Sequence, residues 1–428
     1  MINLEMNNSQ LTVNHSPLKN VPQIRFKGFE VEWEKKAFGD LFPITSAARV
    51  HKNEWTKSGV QFFRSSDVVS LFKGNDNTKA FISHELYEEL SAKVGRIEKG
   101  DMLVTGGGSI GVPYLVETDE PLYFKDADLL WFKIREAVDS HYLYTFFSSE
   151  PFRRYLRSIS HIGTIAHYTV EQAKSTPLRL PKTAPEQTQI GGYFRELDSL
   201  IGLHQRKHDK LVTLKKAMLQ KMFPQPGATT PEIRFKGFSG EWVEKKVDEI
   251  CDETYGGGTP KTSERKFWEG EIPWIQSSDI TDGEIFRVAP RKYISDLALR
   301  KSPTKLVPSN SIAIVTRVGV GKLALIAFGY AASQDFLSLS RLKLDQSFAV
   351  IALSILLQSK LHETQGTSIK GITKEELLAY SFIIPHAIAE QQKIGTYFRT
   401  LDELISKHAI QLQKLQQIKS ACLEKMYA

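Results

Sequence analysis

Gly106-Gly107-Gly108-Ser109-Ile110-Gly111 meets two spacings that can do chemistry. As G-x-G-x-x-G after a strand, it could seat a pyrophosphate if the loop opened a helix whose N-terminus faced the phosphates. As G-x-S-x-G, it could be a nucleophile elbow around Ser109, which also needs a helix next. Here Val112-Pro113-Tyr114-Leu115-Val116 follows and reads as strand. The matching loop further on, Thr316-Arg317-Val318-Gly319-Val320-Gly321-Lys322, has no serine, although two loops built alike should share a nucleophile. Both enzyme readings fall on these grounds. What remains is a tight glycine turn, open to two readings. Its N–H groups could cradle phosphate, with Arg317 and Lys322 adding charge, or it could be an ordinary β-turn. Ser65-Ser66-Asp67 and Ser277-Ser278-Asp279 pose a similar choice, and polar triplets of this kind more often cap a turn.

The other chemical side chains are sparse. His204 and His408 occupy one position of a repeat described below and read as a stacked or water-bridged pair. A metal there would need more ligands than the sequence supplies. No Cys/His cluster has ligand spacing, and neither a G-x-x-x-x-G-K-[ST] phosphate loop nor the N-P-P-[YF] tetrapeptide of amino-methyltransferases is present. The residues thus point to no catalytic centre and to a duplicated binding protein.

The elements that position these loops come from repetition. Glu186–Met222 and Glu390–Met426 align without a gap and share roughly half their residues, which is the kind of signal to read first. Ile190, Leu197, His204, Leu211 and Met218 form one seven-residue series, with Tyr193, Leu200 and Leu214 on the second. The other copy has Ile394, Leu401, His408, Leu415 and Cys422, with Tyr397, Leu404 and Ile418. This a/d seam predicts two proline-free helices of roughly 55 Å that pair antiparallel. A second repeat, Pro22-Gln23-Ile24-Arg25-Phe26-Lys27-Gly28-Phe29 and Pro231-Glu232-Ile233-Arg234-Phe235-Lys236-Gly237-Phe238, opens each globular stretch, and Trp33 and Trp242 in these blocks read as core or docking surface.

The order is therefore globular unit, helix, globular unit, helix. Residues 1–20 read as a flexible arm, 21–184 as the first unit and 185–223 as its helix. Pro224, Pro226 and Gly227 mark a linker over 224–230. The second unit runs over 231–386 and the last helix over 387–428. Each unit reads as mixed α/β (α+β) with short strands, and helix-like segments fall near His141–Ser158 and Phe348–Leu361.

Composition bounds the partners. The 428 residues suffice for two or three domains, and a formal charge of +7 with pI near 9.0 is compatible with a polyanion. Two cysteines, Cys251 and Cys422, predict a reducing, cytoplasmic setting. The N-terminal stretch lacks the charge and apolar pattern of a signal peptide, and no apolar run is long enough to span a bilayer.

Gly256–Ile280, reading GGGTPKTSERKFWEGEIPWIQSSDI, closely resembles the start of a target recognition domain in specificity (S) subunits of type I restriction-modification enzymes. The resemblance extends to Gly366-Thr367-Ser368-Ile369-Lys370, Ile384-Pro385, Glu390-Gln391 and the helix that follows. The first unit matches more loosely, through Ser65-Ser66-Asp67, the glycine loop, Pro185-Glu186-Gln187 and its helix. It lacks the G-G-T-P run. The resemblance implies two target recognition domains separated by an antiparallel coiled coil with pseudo-two-fold symmetry. It further implies a non-catalytic chain that binds double-stranded DNA with a bipartite target, each domain reading one half. Two methyltransferase (M) subunits using S-adenosylmethionine for adenine-N6 methylation, and two restriction/motor (R) subunits using ATP and magnesium, would dock on it. The helix pair would set the spacer between half-sites.

Candidate DNA contacts are polar and basic side chains on the loops: Arg64, Lys125, Arg153, Arg154, His161 and His167 in the first unit, and Lys261, Arg265, Lys266, Arg317, Lys322 and Lys370 in the second. A competing reading, a stand-alone adaptor with incidental basic charge, would lack salt-dependent, sequence-selective DNA binding.

Overall fold

Two helices of 39 residues, α7 (Ala184–Met222) and α11 (Ile388–Met426), run through the chain. The computed structural model describes residues 11–13, 21–126, 128–135, 137–159, 167–363 and 371–427. It divides into two units whose boundaries fall within the helices, at Leu203/His204 and Ile410/Gln411. Each unit therefore holds the start of one helix and the end of the other.

In the first unit, β1 (Leu11–Val13) pairs antiparallel with β2 (Ile24–Phe26). The 1–20 stretch read as an arm thus contains a strand, held because Leu11 packs on the core. Its other residues lie outside those described. β3 (Glu34–Ala37) leads into α1 (Phe38–Leu41), then β4 (Ile44–Thr45), β5 (Trp55–Thr56), β6 (Val60–Phe63), α2 (Ser65–Phe72), β7 (Ala80–Ile82) and α3 (His84–Val94). β8 (Met102–Thr105), β9 (Pro113–Leu115), β10 (Leu122–Phe124) and β11 (Leu129–Phe132) follow, then α4 (Ser140–Phe146), α5 (Glu150–Ile159), α6 (Val170–Lys174) and β12 (Pro177–Leu180). The sheets are β10-β6-β7-β5, with β10 and β6 parallel, then β4-β11-β8-β9, and the pair β12-β3. The helix expected over His141–Ser158 is two helices, with Pro151 in the first turn of the second, where its missing N–H costs nothing.

The second unit repeats this plan. It has β13 (Val243–Lys246), β14 (Cys251–Gly256), β15 (Ile272–Ile275), β16 (Lys292–Ile294), α8 (Asp296–Lys301), β17 (Ser311–Val315), β18 (Leu323–Ile326), β19 (Ala331–Ala332) and β20 (Phe336–Leu342). α9 (Gln346–Glu363), α10 (Lys374–Ala379) and β21 (Ser381–Ile384) complete it. The sheets are β14-β20-β17-β18, then β16-β15-β19 with β15 and β19 parallel, and the pair β13-β21. In both units the central strands β8 and β17 are buried on both faces, which is why they read as continuous apolar runs.

The repeated sequence blocks meet at one joint per unit. Arg25, 3% exposed, donates from Nε and from its terminal guanidinium nitrogen to the two carboxylate oxygens of Glu186 at 2.7 and 2.8 Å, and Trp33 Nε1 donates to Glu186 Oε1 at 3.1 Å. Arg234 makes the same fork to Glu390 at 2.6 and 2.8 Å. Gln187 donates to the Pro181 carbonyl (2.8 Å) and accepts from Asp139 N (3.0 Å); Gln391 does likewise with Pro385 (2.9 Å) and Asp345 (3.0 Å). Asp139 and Asp345 in turn cap α4 and α9. A Cβ on Gly191 or Gly395 would sit 2.6 Å from Oδ1 of the capping aspartate, so glycine is what lets the long helix approach. The motif Glu-Gln-x-x-Ile-Gly is thus a docking joint, and Trp33 and Trp242 are core residues within it.

Each joint is closed by the far end of the other helix. Tyr427 packs 5.2 Å from Tyr142 and donates to its carbonyl; Phe223 stacks 5.8 Å from Phe348. The 224–230 linker is anchored rather than loose at its end, with Trp242 N donating to Thr229 O and Ile233 N to Lys221 O.

Along the seam, Ile190, Tyr193, Leu197, Ile394, Leu401, Leu415 and Cys422 are buried, and Leu200, Leu211, Met218, Tyr397 and Ile418 are half-buried. Two assignments need correction: Leu214 and Leu404 are 38% and 39% exposed. Neither packs on the core of its unit, whereas Tyr193, Leu200, Tyr397 and Ile418 of the same series do. Phe194 and Phe398, off the seam, are fully buried because the helix starts pack on the globular cores. The pairing is antiparallel, with Lys419 to Asp198 at 2.5 Å in the first unit and Lys215 to Asp402 at 2.5 Å in the second. His204 and His408 are half-buried and hydrogen-bonded directly through Nδ1 at 2.9 Å with rings tilted by 57°, rather than stacked or bridged by water.

Candidate nucleic-acid interface

In each unit a pair of parallel strands and a hairpin bring three loops to one end. In the first unit Lys125 N, just after β10, donates to Phe63 O at the end of β6 (2.8 Å). Asp128 O accepts from Gly106 N (2.8 Å) and from Ser65 Oγ (3.1 Å). In the second unit Ser333 N, after β19, donates to Ile275 O at the end of β15 (2.9 Å), and Asp335 O accepts from Thr316 N (2.7 Å). Lys125 thus corresponds to Ser333, Asp128 to Asp335 and Gly106 to Thr316.

The glycine loops are β-hairpin turns. Thr105 N bonds to Val112 O and Gly111 N to Thr105 O; Val315 N bonds to Lys322 O and Gly321 N to Val315 O. A strand follows each loop, so neither a pyrophosphate seat nor a nucleophile elbow forms. Gly111 and Gly321 take φ of 76° and 91° and press on the following helices, where a Cβ would meet Leu156 at 2.5 Å and Leu361 at 2.2 Å.

The Ser-Ser-Asp triplets cap turns. Arg64 N donates to Asp67 Oδ2 at 2.8 Å and Gln276 N to Asp279 Oδ2 at 3.0 Å, and both aspartates are 6% exposed. The Arg64 side chain turns inward as well, forking to Asp67 at 2.7 and 2.8 Å, which raises the guanidinium pKa. Arg64 is thereby held against its own turn. Asp279 lacks this partner; Arg291 Nε stands 3.4 Å from its Oδ1.

Several of the remaining candidates flank these loops. Lys125 pairs with Asp128 (2.5 Å). Arg153 and Arg154 are exposed on α5, whose Phe152 and Leu156 face Gly111. His167 is exposed beside Tyr168, whose N–H bonds to Gly106 O. Lys261 and Arg265 contact Glu264 (3.9 Å) and Glu269 (2.5 Å), and Lys266 is exposed beside them. Lys261 lies two residues after Thr259, whose hydroxyl bonds to Gln334 at 3.2 Å. Lys322 reaches Ile280 O at 3.3 Å, and Arg317 is exposed at the hairpin tip. His161 and Lys370, with Gly366-Thr367, lie outside the described residues. The hairpin walls a cleft of about 680 Å³ with Thr281–Gly283 and α9. Sequence reasoning missed Gln276, Arg291 and Gln334; only alignment of the two bond frames brings them to the site. Among the described residues no group of three or more His, Cys, Asp or Glu is arranged to hold a metal, and no helix is long and apolar enough to cross a membrane.

This twice-built frame coincides with a twofold match to one family model, the type I restriction modification DNA specificity domain, over residues 30–213 and 239–420. The chain belongs to that family. The first match runs from just before β3 into α7 and the second from just before β13 into α11. The chain is 32% identical over 180 residues to the EcoR124I/EcoR124II specificity subunit of Escherichia coli, covering 40% of this chain and 43% of that one. It is 24% identical over 403 residues to the putative MjaX specificity subunit of Methanocaldococcus jannaschii, covering 91% of each. The first of these matches spans less than half of its relative. The fold is shared with the S subunit of a type I restriction-modification system from M. genitalium, at a TM-score of 0.57 and 15% identity, covering 95% of this chain and 99% of that one.

Proposed function

We propose that this chain is the non-catalytic DNA specificity subunit of a type I restriction-modification complex, each specificity domain reading one half of a bipartite target. The observation that carries this reading is the single hydrogen-bonded frame of three loops, built twice and locked each time to a long helix. Different side chains stand on the two frames, as two different half-sites require. The helices serve as the spacer, and their length sets the gap between half-sites. Two methyltransferase subunits, which use S-adenosylmethionine, and two restriction/motor subunits, which use ATP and magnesium, complete the assembly in the cytoplasm; those cofactors belong to the partners.

The test is binding of the chain with its methyltransferase partner to a pool of random duplexes. The expected result is enrichment of a two-part sequence, with log affinity falling linearly in log salt as phosphate counterions are released. Association that is salt-dependent but indifferent to sequence contradicts the proposal.

A further inference from the structure

The hairpin between β17 and β18 ends in Arg317-Val318-Gly319, and Val318 is 70% exposed, the highest among the exposed large apolar side chains of the described residues. Single exposed apolar residues are ordinary on protein surfaces. This one stands on a turn that is pinned from several sides. Val315 N and Gly321 N close the turn, Thr316 bonds to Asp335 O through N and Oγ1, Ile372 N bonds to Thr316 O, and Lys322 Nζ reaches Ile280 O. Beside it, Arg317 is exposed and, among the described residues, has no ion-pair partner, whereas Lys261 and Arg265 have acidic neighbours.

We infer that this tip is the base-reading finger of the second specificity domain, Arg317 pairing with a guanine and Val318 lying against the methyl group of a neighbouring thymine. The inference rests on the DNA-specificity reading above. A two-stranded ribbon fits the major groove, an arginine fork matches guanine O6 and N7, and an apolar side chain matches the thymine methyl. A contact to phosphate alone would have no use for Val318. Because the backbone is pinned, little ordering remains for binding to bear. The first domain has Gly107-Gly108-Ser109 at the corresponding positions, with Thr105 Oγ1 tied to the Ser109 carbonyl. That tip carries neither an arginine nor an apolar side chain, so the guanine–thymine reading belongs to one half-site only.

The test is methylome sequencing of a host expressing the full chain with its methyltransferase partner, for the wild type, Arg317→Ala, Arg317→Lys and Val318→Ser, with urea midpoints of the purified chains alongside. The expected result is that Arg317→Ala loses discrimination at one guanine of a single half-site by about tenfold or more. Val318→Ser relaxes the adjoining thymine, the other half-site keeps every letter, and the midpoints stay at the wild-type value. An unchanged motif in both variants overturns the inference. So does a uniform fall at all sites that Arg317→Lys restores, because that marks a phosphate contact, and so does a shifted midpoint, because that marks a structural role. A wild type that yields no two-part motif overturns the specificity reading itself.

Discussion

Glu186→Ala should cost the first unit about 3–5 kcal/mol, the usual penalty for stranding one member of a buried ion pair. Arg25 is 3% exposed, so it would lose two charge-assisted bonds with no water to replace them and keep only the Val31 carbonyl, and Trp33 Nε1 would lose its acceptor. Glu390→Ala should cost less, about 1.5–3 kcal/mol, the range for hydrogen bonds to charged groups. There the Arg234 side chain is 17% exposed, keeps the Ser239 and Gly240 carbonyls as acceptors, and Trp242 Nε1 has no partner to lose. The assay is urea unfolding of the full chain followed by tryptophan fluorescence, with Trp33, Trp55 and Trp131 reporting the first unit and Trp242, Trp268 and Trp274 the second. With a urea slope of about 2.5 kcal/mol per molar, a loss of 4 kcal/mol lowers the first unit's midpoint by about 1.6 M. Equal shifts for the two substitutions would refute the asymmetry between the joints, and a cost below about 1 kcal/mol for Glu186→Ala would refute the claim that these pairs lock the helices to the units.

Gly192→Ala, with open space at its Cβ, should stabilise the first unit by about 0.5–1 kcal/mol through helix propensity, whereas Gly191→Ala and Gly395→Ala should destabilise by about 1–3 kcal/mol through overpacking against the capping aspartates; urea midpoints give the signs. Burial, then His204, Lys207, Lys407 and His208, lower the pKa of His408 below its ordinary value. Folding therefore favours neutral His408, so this contribution is complete above about pH 6.5 and is lost as pH falls through the lowered value. The second unit's midpoint should drop between pH 7.5 and 5.5 more in the wild type than in His408→Gln. One heptad added to both long helices beside His204 and His408 lengthens each by about 10 Å. The spacer should grow by about three base pairs with both half-site sequences unchanged, as methylome sequencing would show; altered half-site letters would count against the spacer role.

The long helices were legible because their seam persists without proline and recurs in a second copy. The joints were legible only as repeated letters. Glu186 and Gln187 could not be seen as clamps, because Arg25 is 161 residues away in sequence and the capped helix begins near residue 140. The strands inside the units were hard to place because they are two to seven residues long and the central ones are buried on both faces, which erases alternation. Among the site residues, Arg64 looked like a free cation, although Asp67 three residues on was a sign that it caps its own turn. Arg317 was visible as a basic residue in a glycine loop; the exposure of Val318 beside it needed the folded hairpin.

The most direct test of the central claim is single-molecule methylome sequencing of a naive host expressing this chain with its methyltransferase partner, against a host expressing the partner alone. The account predicts a split motif with N6-methyladenine in both halves that vanishes when this chain is omitted. Expression and association of both proteins without any new motif would contradict it.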